Sequence, residues 1–505
     1  SPNESAVRMT QVEPAIIITF VVYLAVVLLI GIAAWRRTRN LKDYLLGGRS
    51  LGRWVTALSA QASDMSGWLL LGLPGYAYLA GAESAWLLGG LLVGTWANWR
   101  LTAAPLRRAT EYYGDALTLP DYLERRFEDR SGVLRLLSAL FILVFFTVYT
   151  SSGLVAGGRL FEEVFGLSYV WAVAAGGFAI VAYTFVGGFL AVSWTDLLQG
   201  MLMFVALILV AVLGVGAVGG LSGLTEGLRA VDPALLDPFT DVAGEPLTVI
   251  AIVSLLGWGL GYFGQPHVLA RFMAARSAEH IPASRRIAMS WVTVALVTGT
   301  LIGLSGSLLV EPRLEGADAE KVFMAMTTLM LHPVVAGICL SGILAAVMST
   351  ADSQLLVASS ALAEDFYRGM IRKEAGAGEV LWAGRLGVVA IAVIAFGLAM
   401  DPDSRVLDLV AYAWAGLGAA FGPVILASLY WRGMRRAGAI AGVLAGGVTV
   451  IVWKRLEGGL FDLYEIVPGV VAAGLAILIG SLVSGGGKTD DPAQGEQSQR
   501  QGPGR

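Results

Sequence analysis

Charge is scarce in this sequence. Only 14% of its 505 residues are Asp, Glu, Lys or Arg, against about 25% in ordinary soluble domains, and a water-facing surface for so long a chain cannot be made from so few. Cysteine is nearly missing: Cys339 stands alone inside an apolar run, which excludes an intrachain disulfide and a cysteine-ligated metal cluster. Histidine occurs three times, at His267, His280 and His332, too scattered for metal-ligand spacing. There is no basic excess either, with a net charge of −3 and a pI of about 5.8, so nothing points to a nucleic-acid partner. No soluble catalytic or nucleotide-binding module is legible. Gly259-x-Gly261-x-x-Gly264 matches a dinucleotide fingerprint only formally, because no strand precedes it and no ribose-binding acid follows.

What the sequence has in abundance is continuous apolar length. Apolar residues make up 56% of it and the mean hydropathy is +0.70. The apolar blocks run near 20 residues with few or no charges, the length a bilayer core requires, and they do not alternate as the strands of a membrane barrel would. Thirteen spans are predicted, the first over Pro14–Trp35, the second over 54–80, the sixth over 193–219, the seventh over 247–266, the ninth over 333–366, the tenth over 388–400 with an earlier start at Val380, and the last over 467–483. The first is a full span followed at once by Arg36 and Arg37, unlike a cleavable signal peptide. Of the 35 lysines and arginines, 26 fall in loops that alternate onto one side, which places the N-terminus outside and the C-terminus inside. The lipid bilayer is therefore the expected surrounding of an all-α polytopic protein.

Two spans carry signs of interruption. The second contains a polar run through Ser63, Asp64, Ser66 and Gly67 to Trp68; the seventh contains Gly257, Gly259, Gly261, Gly264, Gln265 and Pro266. Glycine at this density weakens a helix and proline removes a donor. The two spans are five apart, at matching places in two blocks of five, and an odd number of spans inverts the second block. Interrupted helices at corresponding positions point to an inverted-repeat transporter with its site at mid-membrane. The predicted division is 1–13 as an N-terminal extension (1–8 read as an expression remnant), 14–53 as first span and cytoplasmic loop, 54–220 as first repeat and 221–246 as external loop. It continues with 247–430 as second repeat, 431–484 as two peripheral spans and 485–505 as a disordered cytoplasmic tail.

Asp64 is the most informative single residue, since a charge near the bilayer centre costs at least about 2.5–3.5 kcal/mol and is retained where a cation or a substrate ammonium offsets it. In the ninth span Ser349 and Thr350 offer two adjacent hydroxyls which, with the carbonyl of Ala346, suit a small hard cation. Trp68, Tyr149, Trp258 and Tyr262 lie on or near the breaks and are candidate pocket walls. Asp196 reads as the N-cap of the sixth span, and Thr118-Leu119-Pro120-Asp121, in a densely charged cytoplasmic stretch, as the start of a short helix. The hydroxyls of Ser63 and Ser66 are equally well explained by bonding back to the preceding turn.

Four separated stretches, 62–68, 116–122, 257–267 and 345–350, together resemble the sodium/solute symporter family, within it the members that carry proline, over nearly the whole chain. The resemblance implies two inverted five-helix repeats with one helix before and two after. It implies a sodium site made by the carbonyls of Ala62, Met65 and Ala346 with the hydroxyls of Ser349 and Thr350. It places L-proline against Trp68, Tyr149, Trp258, Tyr262 and Pro266, with Gln265, Ser66 and Gly67 in the same pocket, and gives Asp64 and Asp196 roles in ion coupling. The expected activity is sodium-driven import of L-proline across a bacterial inner membrane, with Na+ as the only cofactor, no covalent chemistry and no obligate protein partner. Rival expectations are the same fold with another cargo, such as pantothenate, a short carboxylate or another amino acid, and a membrane sensor that binds without transporting. A sensor needs an output domain, and none is legible.

Overall fold

The computed structural model describes residues 14–35, 46–186, 189–241 and 243–484. The predicted N-terminal extension, most of the first basic loop and the predicted disordered tail lie outside the described residues. Among the described residues there are helices and no strands. In chain order the α-helices are α1 (Pro14–Trp35), α2 (Arg53–Asp64), α3 (Leu73–Ala80), α4 (Ser84–Leu101), α5 (Ala103–Tyr112), α6 (Leu119–Arg126), α7 (Val133–Phe165), α8 (Tyr169–Val186), α9 (Phe189–Ala217) and α10 (Gly220–Val231). They continue with α11 (Val249–Gly257), α12 (Pro266–Ala274), α13 (Ile281–Leu309), α14 (Val322–Met330), α15 (Pro333–Ser360), α16 (Ala377–Leu398), α17 (Val406–Tyr430), α18 (Arg436–Trp453) and α19 (Ile466–Val483). Nine helical stretches of the described residues are long and apolar enough to cross a membrane, ten if Val249–Gly264 and Pro266–Ala274, bent by 44°, form one span. The chain is a multi-pass helical membrane protein.

α15 is the axis of the fold. Every residue from 339 to 356 is buried, and its faces are covered by α1, α7, α9 and α16, so its polar residues from Ser349 to Gln354 are buried with the rest. α2 lies against α9, α12, α13 and α15. The stretch Trp258–Gly264 winds as a 3-10 helix between α4 and α17. Glycine permits that approach: a Cβ on Gly259 would run into the Gly90 carbonyl, and one on Gly261 into the Trp414 indole.

Several boundaries differ from the sequence reading, each for a local reason. The seventh span does not stop at 266. Pro266 occupies the first position of α12, where its missing N–H is no loss, so residues 267–274 are helix and not loop. The sixth span opens at Phe189 and not at 193, and the tenth at Ala377. The stretch 221–246, expected as a loop, contains most of α10, whose Leu224 and Leu228 pack with Leu235 against Leu301, Leu304 and Leu308; its narrow apolar stripe escapes a search for long apolar blocks. The short helix expected after Thr118 is present as α6, with the Thr118 hydroxyl accepting from the Asp121 amide at 3.1 Å, an N-cap.

Candidate functional site

α2 ends in mid-bundle. Met65 leaves the helical region at φ −83°, ψ 75°, and the amide of Ser66 turns to the Asp64 carbonyl at 3.0 Å and so does not serve Ala62 in the helical i−4 pattern. The Ala62 carbonyl is instead met by α15: Ser349 Oγ donates to it at 2.9 Å and Thr350 Oγ1 at 3.3 Å. Ser349 Oγ is also 3.1 Å from the Ala346 carbonyl. Four uncharged oxygens thus converge where one helix is broken and another is intact. Met65, the fifth expected oxygen donor, forms the turn itself. Rotating two hydroxyl hydrogens away would present their lone pairs, a donor set suited to a hard monovalent cation.

The break also fixes its surroundings. The Asp64 carbonyl receives Trp68 Nε1 at 3.1 Å and the Tyr149 hydroxyl at 3.5 Å. Ser66 Oγ accepts from the Trp68 amide at 3.4 Å, while Ser63 Oγ bonds back to Ala60 at 3.0 Å. Gly67 has no room for a side chain, since a Cβ there would lie 2.6 Å from that of Ala156; it brings the broken segment against α7. The Asp64 carboxylate is fully buried, and neither oxygen has a hydrogen bond of normal geometry. The Tyr262 hydroxyl lies close enough to interact with it, yet is likewise without such a bond. Asp64 and Tyr262 thus lie where the two broken segments meet.

The second break holds the remaining aromatic residues. Tyr262 meets Trp414 edge-on at 4.8 Å and Trp258 stacks on Tyr464 at 5.4 Å. Trp414 Nε1 donates to the Trp258 carbonyl at 2.8 Å. Gln265 Nε2 donates to the carbonyls of Gly261 and Trp414, both at 3.1 Å, and its Oε1 has no partner. Pro266 stands one turn further on and lines a separate cavity that runs toward α6. Trp68, Tyr149 and Tyr262 thus gather round Asp64, with Trp258 a turn above Tyr262 and Pro266 a turn below.

Asp196 is not an N-cap. It sits well inside α9, fully buried, accepting from Ser59 Oγ at 2.6 Å and paired with Arg271 at 3.1 Å. Arg271, which lies beyond the predicted end of the seventh span at 266, is entirely buried in α12. Its guanidinium also donates to Ser59 Oγ at 3.1 Å and Ser353 Oγ at 2.5 Å. Ser353 Oγ in turn donates to the Ser349 carbonyl at 2.6 Å, so this network begins one turn from the Ser349–Thr350 pair. Asp352, buried beside it, has one oxygen unpartnered. Sequence reasoning missed Arg271, Ser59, Asp352, Trp414 and Tyr464. Pro266 as a helix opener was the available signal for Arg271; Trp414 comes from α17 and Tyr464 from the connection before α19, both far along the chain, and they left none.

A bundle with two interrupted helices meeting at a polar centre, one edge of which is a cluster of neutral oxygens, is the architecture of a secondary active transporter. The chain belongs to the sodium:solute symporter family, which it matches over residues 44–446. It is 52% identical over 477 residues, 94% of both chains, to the sodium/proline symporter of Salmonella typhimurium. It is 47% identical over 462 residues to the high-affinity proline transporter of Bacillus subtilis, covering 90% of this chain and 96% of that one. Among solved structures, a sodium-coupled sialic acid symporter in a substrate-bound outward-open state has the same fold, with a TM-score of 0.76 at 19% identity over 93% of this chain and 98% of that one.

The Asp64 geometry carries a prediction. If the carboxylate offsets the cation's charge, Asp64→Asn raises the sodium concentration for half-maximal uptake by about tenfold or more, the scale of one charge-assisted interaction, and Asp64→Glu is milder. Sodium-activation curves of both variants decide it. Equal damage from both would assign Asp64 to packing of the broken helix.

Proposed function

We propose that this chain imports L-proline together with Na+ by alternating access in a bacterial inner membrane, with no covalent step. The observation that carries the sodium half is the convergence of Ser349 and Thr350 on the Ala62 carbonyl freed by the break in α2. The cargo is read from relatives bearing that name at about half identity over nearly full length. In this reading Na+ takes the carbonyls of Ala62, Met65 and Ala346 and the hydroxyls of Ser349 and Thr350. Asp64 offsets its charge, and Asp196 lies on its inner exit.

The bundle is read as thirteen spans with the N-terminus outside and the C-terminus inside. Its second and third spans lie within 54–104, and 54–220 and 247–430 form two inverted five-helix repeats. Each repeat begins with an interrupted span, α2 in one and α11 with α12 in the other, so the two breaks face each other at mid-membrane. Residues 14–53 precede the repeats and 431–484 pack outside them.

Proline is apolar on its ring and zwitterionic, so it requires aromatic walls and a partner for each charge. Trp68, Tyr149, Trp258 and Tyr262 are read as the walls. Backbone amides released at the second break receive the carboxylate, and Gln265, Pro266, Ser66 and Gly67 shape the floor. Sodium binding ties α2 to α15 and so stabilises the arrangement in which Trp68 and Asp64 face the cargo. By linkage, proline then raises sodium affinity by the factor by which sodium raises proline affinity.

Uptake and counterflow of labelled proline in proteoliposomes test the reading. Uptake should require an inward sodium gradient, be partly supported by lithium and not by potassium. Close ring analogues should compete, and bulky acyclic amino acids and sugars should not. Truncating Tyr149 or Trp258 to Ala should raise the apparent proline constant at saturating sodium by about 1–3 kcal/mol, the value of a lost apolar contact, and shift sodium dependence less. If pantothenate or a sugar competes and proline does not, the cargo assignment is wrong.

A further inference from the structure

The cavity below Pro266 has a floor that neither the sodium site nor the aromatic pocket accounts for. It is lined by Pro266 and Ala270 of α12 and by Leu356 of α15, and it ends at Leu117, Thr118 and Asp365. A second hollow, open at the surface and bordered by Arg125, Arg135, Arg368 and Lys373, ends at the same Leu117, Thr118 and Asp365. Two hollows thus meet back to back across one thin partition. The inner one begins at the second helix break, and the outer one is rich in charge.

The partition is a single polar contact with a brace. Thr118 Oγ1 donates to Asp365 Oδ1 at 3.2 Å. Arg135 Nε is 3.0 Å from the same oxygen, though not aligned for a hydrogen bond. Asp365 is wholly buried and its Oδ2 has no partner. The rest of Arg135 is held elsewhere, by Asp121 at 2.8 Å and Glu124 at 2.9 Å, both on α6. Thr118 is also the N-cap of α6. A shift of α6 away from the segment that follows α15 would break the Thr118–Asp365 bond and part Asp365 from Arg135, while α6 kept its cap and its pairing with the arginine. The carboxylate would gain water at its unpartnered oxygen, which lowers the cost of opening because a buried, half-satisfied charge is expensive.

We infer that Thr118, Asp365 and Arg135 form the door through which cargo leaves toward the cytoplasm, hinged on α6. The inference rests on the transport reading above and goes beyond it, because it assigns the release step to residues outside the ion and substrate sites. Thr118 and Asp365 act as positioning residues: they hold the exit shut and touch neither proline nor sodium in the bound state.

Two measurements test the door in the full-length protein carrying Cys339→Ser. In the first, Ala270→Cys reports the inner cavity through labelling by a membrane-impermeant maleimide applied from the cytoplasmic face. Thr118→Val should speed that labelling by about tenfold, the weight of one hydrogen bond to a charged group, whereas Thr118→Ser should leave it at the parental rate. In the second, Thr118→Cys with Asp365→Cys is bridged by a short bifunctional thiosulfonate. Bridging should cut sodium-driven proline uptake by about tenfold or more, reversibly with reductant, and leave sodium-dependent proline binding by the detergent-solubilised protein in place. Labelling indifferent to Thr118→Val, or a bridged pair that transports at the unbridged rate, would overturn the door. If no variant binds proline while labelling still responds to Thr118, the cargo reading fails and the door stands.

Discussion

Thr350→Ala and Ser349→Ala each raise the sodium concentration needed for half-maximal proline uptake by about 10- to 150-fold, while the proline constant at saturating sodium moves by little. The range follows from the worth of one interaction between a neutral oxygen and a charged group, about 1.5–3 kcal/mol. Both hydroxyls reach the Ala62 carbonyl, at 2.9 and 3.3 Å, and Ser349 also reaches that of Ala346, so each change removes one oxygen from a small cluster. Losing one oxygen weakens the ion's hold without touching the aromatic walls, which is why the two constants separate. Serine at 350 keeps the oxygen and should restore most of the sodium affinity. Sodium titrations of uptake at fixed saturating proline give the answer, and an unchanged half-activation in both alanine variants removes these hydroxyls from the site.

Arg271→Met destabilises the folded protein by about 3–5 kcal/mol, the cost of stripping the partner from a buried charge. Asp196 and Arg271 are both fully buried, 3.1 Å apart, and Asp352 adds a second carboxylate to the same space. Without the guanidinium the region holds two acids and no cation. Asp196→Asn in the same chain removes one of them, so the double variant should recover a large part of the loss, and the four-way cycle isolates the coupling. Unfolding in detergent, followed by a fluorescence or thiol-exposure midpoint, measures it. A loss below about 1 kcal/mol for Arg271→Met, in the range of an exposed ion pair, would mean that water reaches the pair.

The same residues mark the division between what was legible and what was not. Asp64, Ser349 and Thr350 stood out in the sequence because a polar group inside an apolar run is costly wherever the helix packs, and that cost is local. The two breaks were legible for the same reason, since Gly257 to Pro266 weakens a helix through its own backbone. Thr118 as a cap was legible because capping reaches only three residues. Arg271 was hidden because Pro266 reads as the end of a span, which puts the residues after it in a loop, and Asp196 by its place near the start of an apolar block.

From the sequence alone, then, came the membrane class, the approximate helical spans, the two interruptions and the hydroxyl pair, all of which depend on neighbours within a few turns. Only the tertiary structure decided that the Ala62 carbonyl meets Ser349 and Thr350 across 287 and 288 positions. It alone decided that Asp196 pairs with Arg271, that Tyr464 covers Trp258 and that Thr118 closes on Asp365. Those pairings depend on how close the backbones of separate segments come, and that distance is set by small residues such as Gly67, Gly259 and Gly261 acting in concert across helices. No stretch of chain taken by itself contains that distance.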